Sequence, residues 1–288
     1  EAVGGHYKII EVQSGWKDRQ DLIGHYNTFE GKYYESEFLK ALYEASCPKY
    51  QNRPYFIILD EMNLSHPEHY FADFLSMLEQ EEDRRELKVL THPLPNTPKM
   101  IKGNALRIPS NVWFIGTANH DETTVGFAPK TIDRANVMEM PKNYEVFSSE
   151  PSVKGNVYIS SLYHMFNEPT GKNLTEVEHS LKFLNLKLKP YMEKFGIGWG
   201  NRLENQLKKF IPVYIECGGK EPNAVDHIVL NRIFRNLKDR YDIRIDELKK
   251  FKDSFEKDFC EDFKVQNNLH SIRFLEEEIS KKDSYLDD

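Results

Sequence analysis

The sequence predicts an α/β fold followed by an all-helical region. Two short apolar runs, at 55–59 and 112–115, each end in polar residues, and helical periodicity lies between them. Such runs are typical of strands buried on both faces of a parallel sheet. Beyond them the pattern indicates helices and no convincing strand. We therefore expect an α/β core at 1–148, a helical region at 149–262 and a charged C-terminal helix at 263–288.

The composition is that of a globular protein. The chain has 288 residues, of which 39% are hydrophobic and 30% charged, and its formal net charge is −7. This charge argues against a surface that coats nucleic acid, although it leaves a local basic groove open. No apolar run approaches the roughly 20 residues that cross a membrane, so we expect no membrane contact.

The cysteines do not indicate a cross-linked or zinc-bound protein. Cys47, Cys217 and Cys260 are scattered, in spacings that suggest neither a disulfide framework nor a zinc site. A reducing, cytoplasmic setting fits them best.

The N-terminal region predicts a strand, a loop and a helix. Residues Tyr7–Val12 favour a strand, and 14–27 are rich in turn formers, which indicates a loop. Ser36 is placed as an N-cap, and apolar residues follow it at helical spacing as far as Ser46.

The stretch Tyr55–Asn63 carries the strongest chemical signal. Its apolar run ends in Asp60 and Glu61, and ligands of α/β proteins bind at the carboxyl ends of such strands. There the first carboxylate can hold Mg²⁺, and the second can orient or deprotonate a water. The alternative is a strand followed by an acidic helix cap.

A helix with an apolar stripe is predicted after Ser65. His66 and His69 at its start are candidate metal ligands. We expect them to be ordinary helix-start residues, because Pro67 lies between them and we find no third ligand nearby.

Two segments within 86–108 alternate apolar and polar residues and are separated by a loop rich in Pro, Asn and Gly. This pattern predicts a hairpin with a long tip. The next strand, Asn111–Asn119, also ends in polar residues. Because parallel strands end at the same edge of a sheet, Asp60, Glu61 and Asn119 are expected to converge. An Asn beside an acid pair can position a water and contact a terminal phosphate.

A cation follows this strand at Arg134. It could reach the nucleotide of a neighbouring subunit. Alternatively, it forms a surface ion pair with Asp133 or Glu139.

These residues carry a family resemblance that covers the chain to about residue 262. Tyr55–Asn63 resembles the Walker B strand of the AAA+ ATPases, and Asn111–Asn119, with its Gly-Thr-Ala-Asn ending, resembles their sensor 1 strand. The combination with the hairpin and with Asp-Arg-Ala is most similar to the McrB-like nucleotidases, with MoxR-type ATPases next. The resemblance implies a partial P-loop NTPase core, a parallel sheet flanked by helices, with an all-α lid.

The resemblance also implies roles for single residues. Asp60 takes the magnesium-associated role, Glu61 polarises the attacking water, Asn119 is sensor 1 and Arg134 is the arginine finger that acts in trans. Asn63 is expected at the edge of the site. Arg202, at the start of a lid helix, resembles a sensor 2 arginine; Arg232 and Arg235 are the alternatives.

One motif of the family is missing. No Gly-x-x-x-x-Gly-Lys-Ser/Thr loop occurs in residues 1–288. We expect the chain to be a fragment without its Walker A segment and to bind nucleotide poorly or not at all by itself, because it lacks the backbone cradle and the lysine for the phosphates.

The favoured function is therefore a fragment of an AAA+ nucleoside triphosphatase. The parent would hydrolyse ATP or GTP with Mg²⁺ in a ring, expected to be hexameric, and couple turnover to remodelling, as in a restriction or defence motor. An effector subunit is a further expected partner, and DNA contact is not indicated by the charge. The alternatives are a degenerate, non-catalytic AAA+ module for assembly or regulation and, least favoured, an unrelated metal-dependent hydrolase that uses Asp60 and Glu61.

Overall fold

The computed structural model describes residues 4–119, 126–132, 134–138, 140, 155–169, 171–265 and 269–284. The chain divides into two compact units, Glu1–Leu162 and Tyr163–Asp288. The domain boundary expected after residue 148 falls in 141–154, outside the described residues. The predicted α/β class with a parallel sheet is confirmed.

The first unit alternates strands and helices. Its described strands are β1 (His6–Glu11), β2 (Gly24–Asn27), β3 (Lys32–Glu35), β4 (Tyr55–Asp60), β5 (Glu86–Lys88), β6 (Ile101–Lys102), β7 (Ala105–Arg107) and β8 (Val112–Gly116). Its helices are α1 (Arg19–Ile23), α2 (Glu37–Ser46), α3 (Pro67–Tyr70), α4 (Ala72–Leu78), α5 (Pro129–Ile132) and α6 (Ile159–Asn167), the last of which crosses the boundary between the units.

The central sheet has three parallel strands in the order β1-β4-β8. One of its faces is a packed core. Ile57 and Leu59 of β4 are almost fully buried on this face, and Phe114 of β8 stacks against Phe38 of α2 and lies edge-on to Phe74 of α4. The acid-bearing strand therefore lies in the middle of the sheet, with its alternate residues held by two helices.

The opposite face of this sheet is apolar and open. Tyr7 and Ile9 of β1 are 53% and 52% exposed, and Ile115 of β8 is 44% exposed. In the observed register Ile9 and Ile115 both pair with Ile58 of β4, so they form one row across the strands. Asp60 lies two residues beyond Ile58 and shares this face, because side chains alternate along a strand.

A buried amide fixes the start of β8. Asn111 is 1% exposed, and its Nδ2 donates to the carbonyl oxygens of Ala45, Tyr50 and Arg53, each at 3.1 Å. Its own carbonyl oxygen accepts from Tyr55 N at 2.9 Å. Asn111 therefore aligns the starts of β4 and β8, and hence the register that sets where both strands end.

The hairpin predicted at 86–108 is present, with one addition. β5 pairs antiparallel with β7, and the short strand β6 adds to the other side of β7. The loop predicted at 14–27 is more regular than expected, because it contains α1 and ends in β2, which pairs with β3. The turn between them is closed by Asn27 Oδ1, which accepts from Phe29 N and Glu30 N, and Gly31 supplies a positive φ of 61°.

The second unit is built of helices in its described part. These are α7 (Leu174–Phe183), α8 (Lys189–Lys194), α9 (Asn201–Glu216), α10 (Glu221–Ile228), α11 (Ile245–Phe263) and α12 (His270–Ser284), with π-helical segments Leu184–Leu188 and Val229–Ile233 and a 3₁₀ turn Phe234–Leu237. Its core is rich in aromatic contacts, and the buried phenylalanines are Phe183, Phe234, Phe251, Phe255, Phe259 and Phe263. No described helix has both the length and the apolar character needed to cross a membrane.

Candidate functional site

The ends of β4 and β8 are joined by the side chain of one residue, Thr117. Its hydroxyl donates to Asp60 Oδ1 at 2.6 Å and accepts from Glu61 N at 2.9 Å. The backbones continue the pairing, since Thr117 N donates to Leu59 O at 3.0 Å and Thr117 O accepts from Met62 N at 2.7 Å. The Asp60 carboxylate and the Glu61 backbone are thus both held by the residue that follows β8.

Glu61 has an unusual backbone. Its φ and ψ are 51° and 49°, the left-handed region, which residues other than Gly, Asn and Asp rarely adopt. Such conformations cost on the order of 1–3 kcal/mol and occur often at functional sites. The left-handed residue turns the chain sharply out of β4 into the 3₁₀ turn Met62–Leu64, and Glu61 itself is exposed.

This turn packs closely on the end of β8. A Cβ atom at Gly116 would lie 2.4 Å from Met62 Sδ. Glycine at this position therefore allows the chain that leaves the acid pair to lie directly against the end of β8.

Asn63 connects the same two loops a few residues further on. It is 2% exposed, and its Nδ2 donates to Asn119 O at 2.8 Å. Asn119 itself is exposed. The loops that carry Asp60, Glu61 and Asn119 are therefore hydrogen-bonded to one another, and the Asn63 side chain that joins two of them is buried.

The oxygen atoms of this group suit a hard cation. Carboxylate, hydroxyl and amide oxygens are the ligands that Mg²⁺ accepts, and Asp60 offers a carboxylate at the end of the strand. For nucleotide phosphates the fit is incomplete, because residues 1–288 contain no glycine-rich Gly-Lys-Ser/Thr loop. Asp60 therefore offers one carboxylate of the kind that Mg²⁺ binds, and residues 1–288 contain no such loop to cradle the phosphates.

Arg134 lies in the first unit and is held there by two contacts. Its Nη1 donates to Ser76 Oγ at 3.0 Å, and its Nε lies 3.1 Å from Glu79 Oε1. The partners considered from the sequence, Asp133 and Glu139, lie outside the described residues. The observed partners belong to α4 and to the residue that follows it.

Arg202 is the second residue of α9 and lies in the second unit. It is exposed. The alternatives Arg232 and Arg235 lie in the π-helical segment and the 3₁₀ turn that follow α10.

Thr117 is the residue of this group that the sequence analysis did not single out. The signal was available, because Thr117 stands in the Gly-Thr-Ala-Asn ending, directly across the sheet from the acid pair. No protein-family model matches the chain, and neither does any curated protein. The site is therefore interpreted from its residues and their geometry.

Proposed function

We propose that the chain supplies the acid pair and the asparagine of a nucleoside-triphosphate hydrolysis site of the AAA+, McrB-like type. The parent protein hydrolyses ATP or GTP with Mg²⁺. A ring assembly, an effector subunit, a remodelling or defence role and a cytoplasmic location belong to this proposal.

One observation carries the proposal: the acid pair at the end of the central strand is bound to the end of the adjacent parallel strand. Thr117 contacts both Asp60 and Glu61, and Asn119 follows two residues later. Ligands of open parallel sheets bind at this edge. Two carboxylates and an amide carried on these strand ends match the needs of metal-assisted phosphoryl transfer to water.

The chemistry divides among these residues. The Asp60 carboxylate would hold Mg²⁺, and the Thr117 hydroxyl fixes the orientation of this carboxylate. Glu61 orients the attacking water and accepts its proton; its left-handed backbone turns the chain at the strand end. The Asn119 amide contacts the terminal phosphate. Mg²⁺ supplies charge neutralisation at the phosphate oxygens.

The open parts of the sheet support a further segment beside this site. Parallel sheets are normally covered on both faces, yet the row that contains Ile9, Ile58 and Ile115 is apolar and open. No described strand pairs with the outer edge of β8. A phosphate-binding strand, loop and helix would pair with that edge, cover the open row and bring its loop to the side on which Asp60 lies.

One observation favours the second candidate, a non-catalytic assembly module. Arg134 is bound within its own unit by Ser76 and Glu79, and a finger that acts in trans would have to leave these partners. In this case the acid pair would remain as part of the scaffold, and nucleotide turnover would be absent.

Nucleotide hydrolysis distinguishes the two candidates. Residues 1–288 and the complete gene product are compared for binding of fluorescent ATP and GTP and for phosphate release with and without Mg²⁺. We expect neither binding nor turnover with residues 1–288 and Mg²⁺-dependent turnover with the complete product. A complete product that binds nucleotide but does not turn it over supports the assembly module, and one that binds neither nucleotide overturns the proposal.

A further inference from the structure

A group of metal-binding side chains lies at the start of α3. One potential ligand atom from each of His66, Glu68 and His69 lies within 4.8 Å of the other two. In the part of the chain that the structure describes, it is the one group in which three His, Cys, Asp or Glu side chains lie this close together. The third potential ligand beside His66 and His69 is Glu68, which lies between them in the chain.

The geometry of the group is close to that of a metal site. His66 Nδ1 and Glu68 Oε1 are 3.0 Å apart and hydrogen-bonded, so a metal ion would take the place of the proton between them. Ligand atoms of a tetrahedral zinc site, with bonds of about 2.0–2.2 Å, are separated by about 3.3–3.5 Å. His69 is exposed. Rotation of its ring can therefore bring its nitrogen from a spacing of up to 4.8 Å to the distance found in a zinc site.

The Glu68 carboxylate has an unused oxygen. Its Oε2 is buried and has no hydrogen-bond partner in the described structure. A buried carboxylate oxygen without a partner is unfavourable. A bound cation close to this carboxylate would compensate its charge.

The backbone that carries the three residues is fixed. Pro67 and Tyr70 are buried, Tyr70 Oη donates to Met62 O at 2.7 Å, and His69 N donates to His66 O at 3.0 Å. The ligands therefore project from a turn that is already formed, and only side-chain rotation is needed to bind an ion.

We propose that His66, Glu68 and His69 form a binding site for a divalent transition metal of the Zn²⁺ class. Two imidazoles and one carboxylate are a known zinc ligand set, which leaves a fourth position for water or another ligand. Imidazole ligands favour Zn²⁺, Cu²⁺ and Ni²⁺ over Mg²⁺, which prefers oxygen. This site is thus chemically distinct from the oxygen-rich group around Asp60, and it does not depend on the proposed hydrolysis.

Cobalt provides a direct test, because Co²⁺ occupies zinc sites and absorbs visible light. Residues 1–288 are titrated with Co²⁺ in excess Mg²⁺, and Zn²⁺ is then added as a competitor. We expect a 1:1 cobalt complex that Zn²⁺ displaces. The His69→Gln and Glu68→Gln variants should bind Co²⁺ at least about tenfold more weakly. Substitution of residues that only hydrogen-bond to a metal ligand already lowers metal affinity about 10–100-fold.

His92→Gln is the matched control, because His92 is also exposed in the first unit. It should bind Co²⁺ like the wild type. Zn²⁺ should raise the Tm of the wild type and of His92→Gln, but not that of His69→Gln, while circular dichroism without metal shows that all variants are folded. Absence of a saturating 1:1 complex, or equal binding by wild type and His69→Gln, overturns the proposal.

Discussion

The Thr117 hydroxyl donates to Asp60 Oδ1 at 2.6 Å and accepts from Glu61 N at 2.9 Å. One side chain thereby holds the carboxylate of Asp60 and the backbone of Glu61 from the end of the neighbouring strand. This contact makes the strand ends a unit rather than two separate loops.

Removal of this hydroxyl should loosen the acid pair. Thr117→Val keeps the shape of the side chain but loses both hydrogen bonds, so we expect the free energy of unfolding of residues 1–288 to fall by about 1–2 kcal/mol. Urea denaturation measures it. Thr117→Ser should recover most of the loss, and Thr28→Val, at an exposed turn, should change stability by less than about 0.5 kcal/mol. An unfolding free energy of Thr117→Val equal to that of wild type would show that the contact is not formed in solution.

The left-handed backbone of Glu61 predicts an order of stability among its variants. Gly and Asn adopt this conformation more readily than Ala does. We expect Glu61→Gly and Glu61→Asn to be more stable than Glu61→Ala by about 1 kcal/mol, as measured by urea denaturation. The reverse order, with Ala the most stable, would contradict the observed backbone conformation.

Stability of the second unit should depend on the charge of His227. Burial is the main cause that holds the pKa of His227 below 6.5; nearby Asp226 opposes this effect, and nearby His270 adds to it. The unfolded state therefore binds the proton more readily, and the contribution of the neutral ring, present above pH 6.5, is lost as the pH falls through 6.5 towards the folded value.

Thermal unfolding measured between pH 8 and pH 5 tests this dependence. We expect the Tm of the wild type to fall as the pH falls. The Tm of the His227→Phe variant should fall by less over the same pH range. Equal slopes for wild type and His227→Phe would show that His227 does not titrate differently on folding.

Arg134 has a local role and a proposed one, and they can be separated. Loss of its partly exposed contacts to Ser76 and Glu79 in Arg134→Ala should cost at most about 1 kcal/mol of stability. In the complete gene product the same variant should lose nucleotide turnover, and mixing with Glu61→Gln subunits should restore part of it in shared sites. If turnover is not restored at any mixing ratio, Arg134 acts within its own subunit.

Local patterns predicted the parts of the fold that depend on short stretches of sequence. The apolar run before Asp60 and the run after Asn111 are the strands β4 and β8, because burial on a parallel sheet selects such runs. The antiparallel pairing of β5 with β7 followed from alternation around a turn-rich loop. These features are encoded by neighbours in the chain.

Other features depend on contacts between distant residues, which composition and periodicity do not report. The Asn111 amide joins three carbonyl groups 58 to 66 residues away, and Arg134 pairs with Glu79 rather than with a sequence neighbour. The role of Thr117 follows only from the register of β4 with β8. The spacing of the two histidines did not indicate that Glu68, which stands between them, lies beside His66 and His69 in the folded turn.

Substitution of Glu61 tests most directly the central claim that this residue activates the attacking water. Phosphate release and equilibrium nucleotide binding are measured for the complete gene product, for its Glu61→Gln variant and for Glu35→Gln, a control at an exposed glutamate of β3. The account predicts that Glu61→Gln binds Mg²⁺-nucleotide like the wild type while its turnover falls by at least about 10²-fold, and that Glu35→Gln behaves like the wild type. Turnover by Glu61→Gln close to that of the wild type would contradict the account.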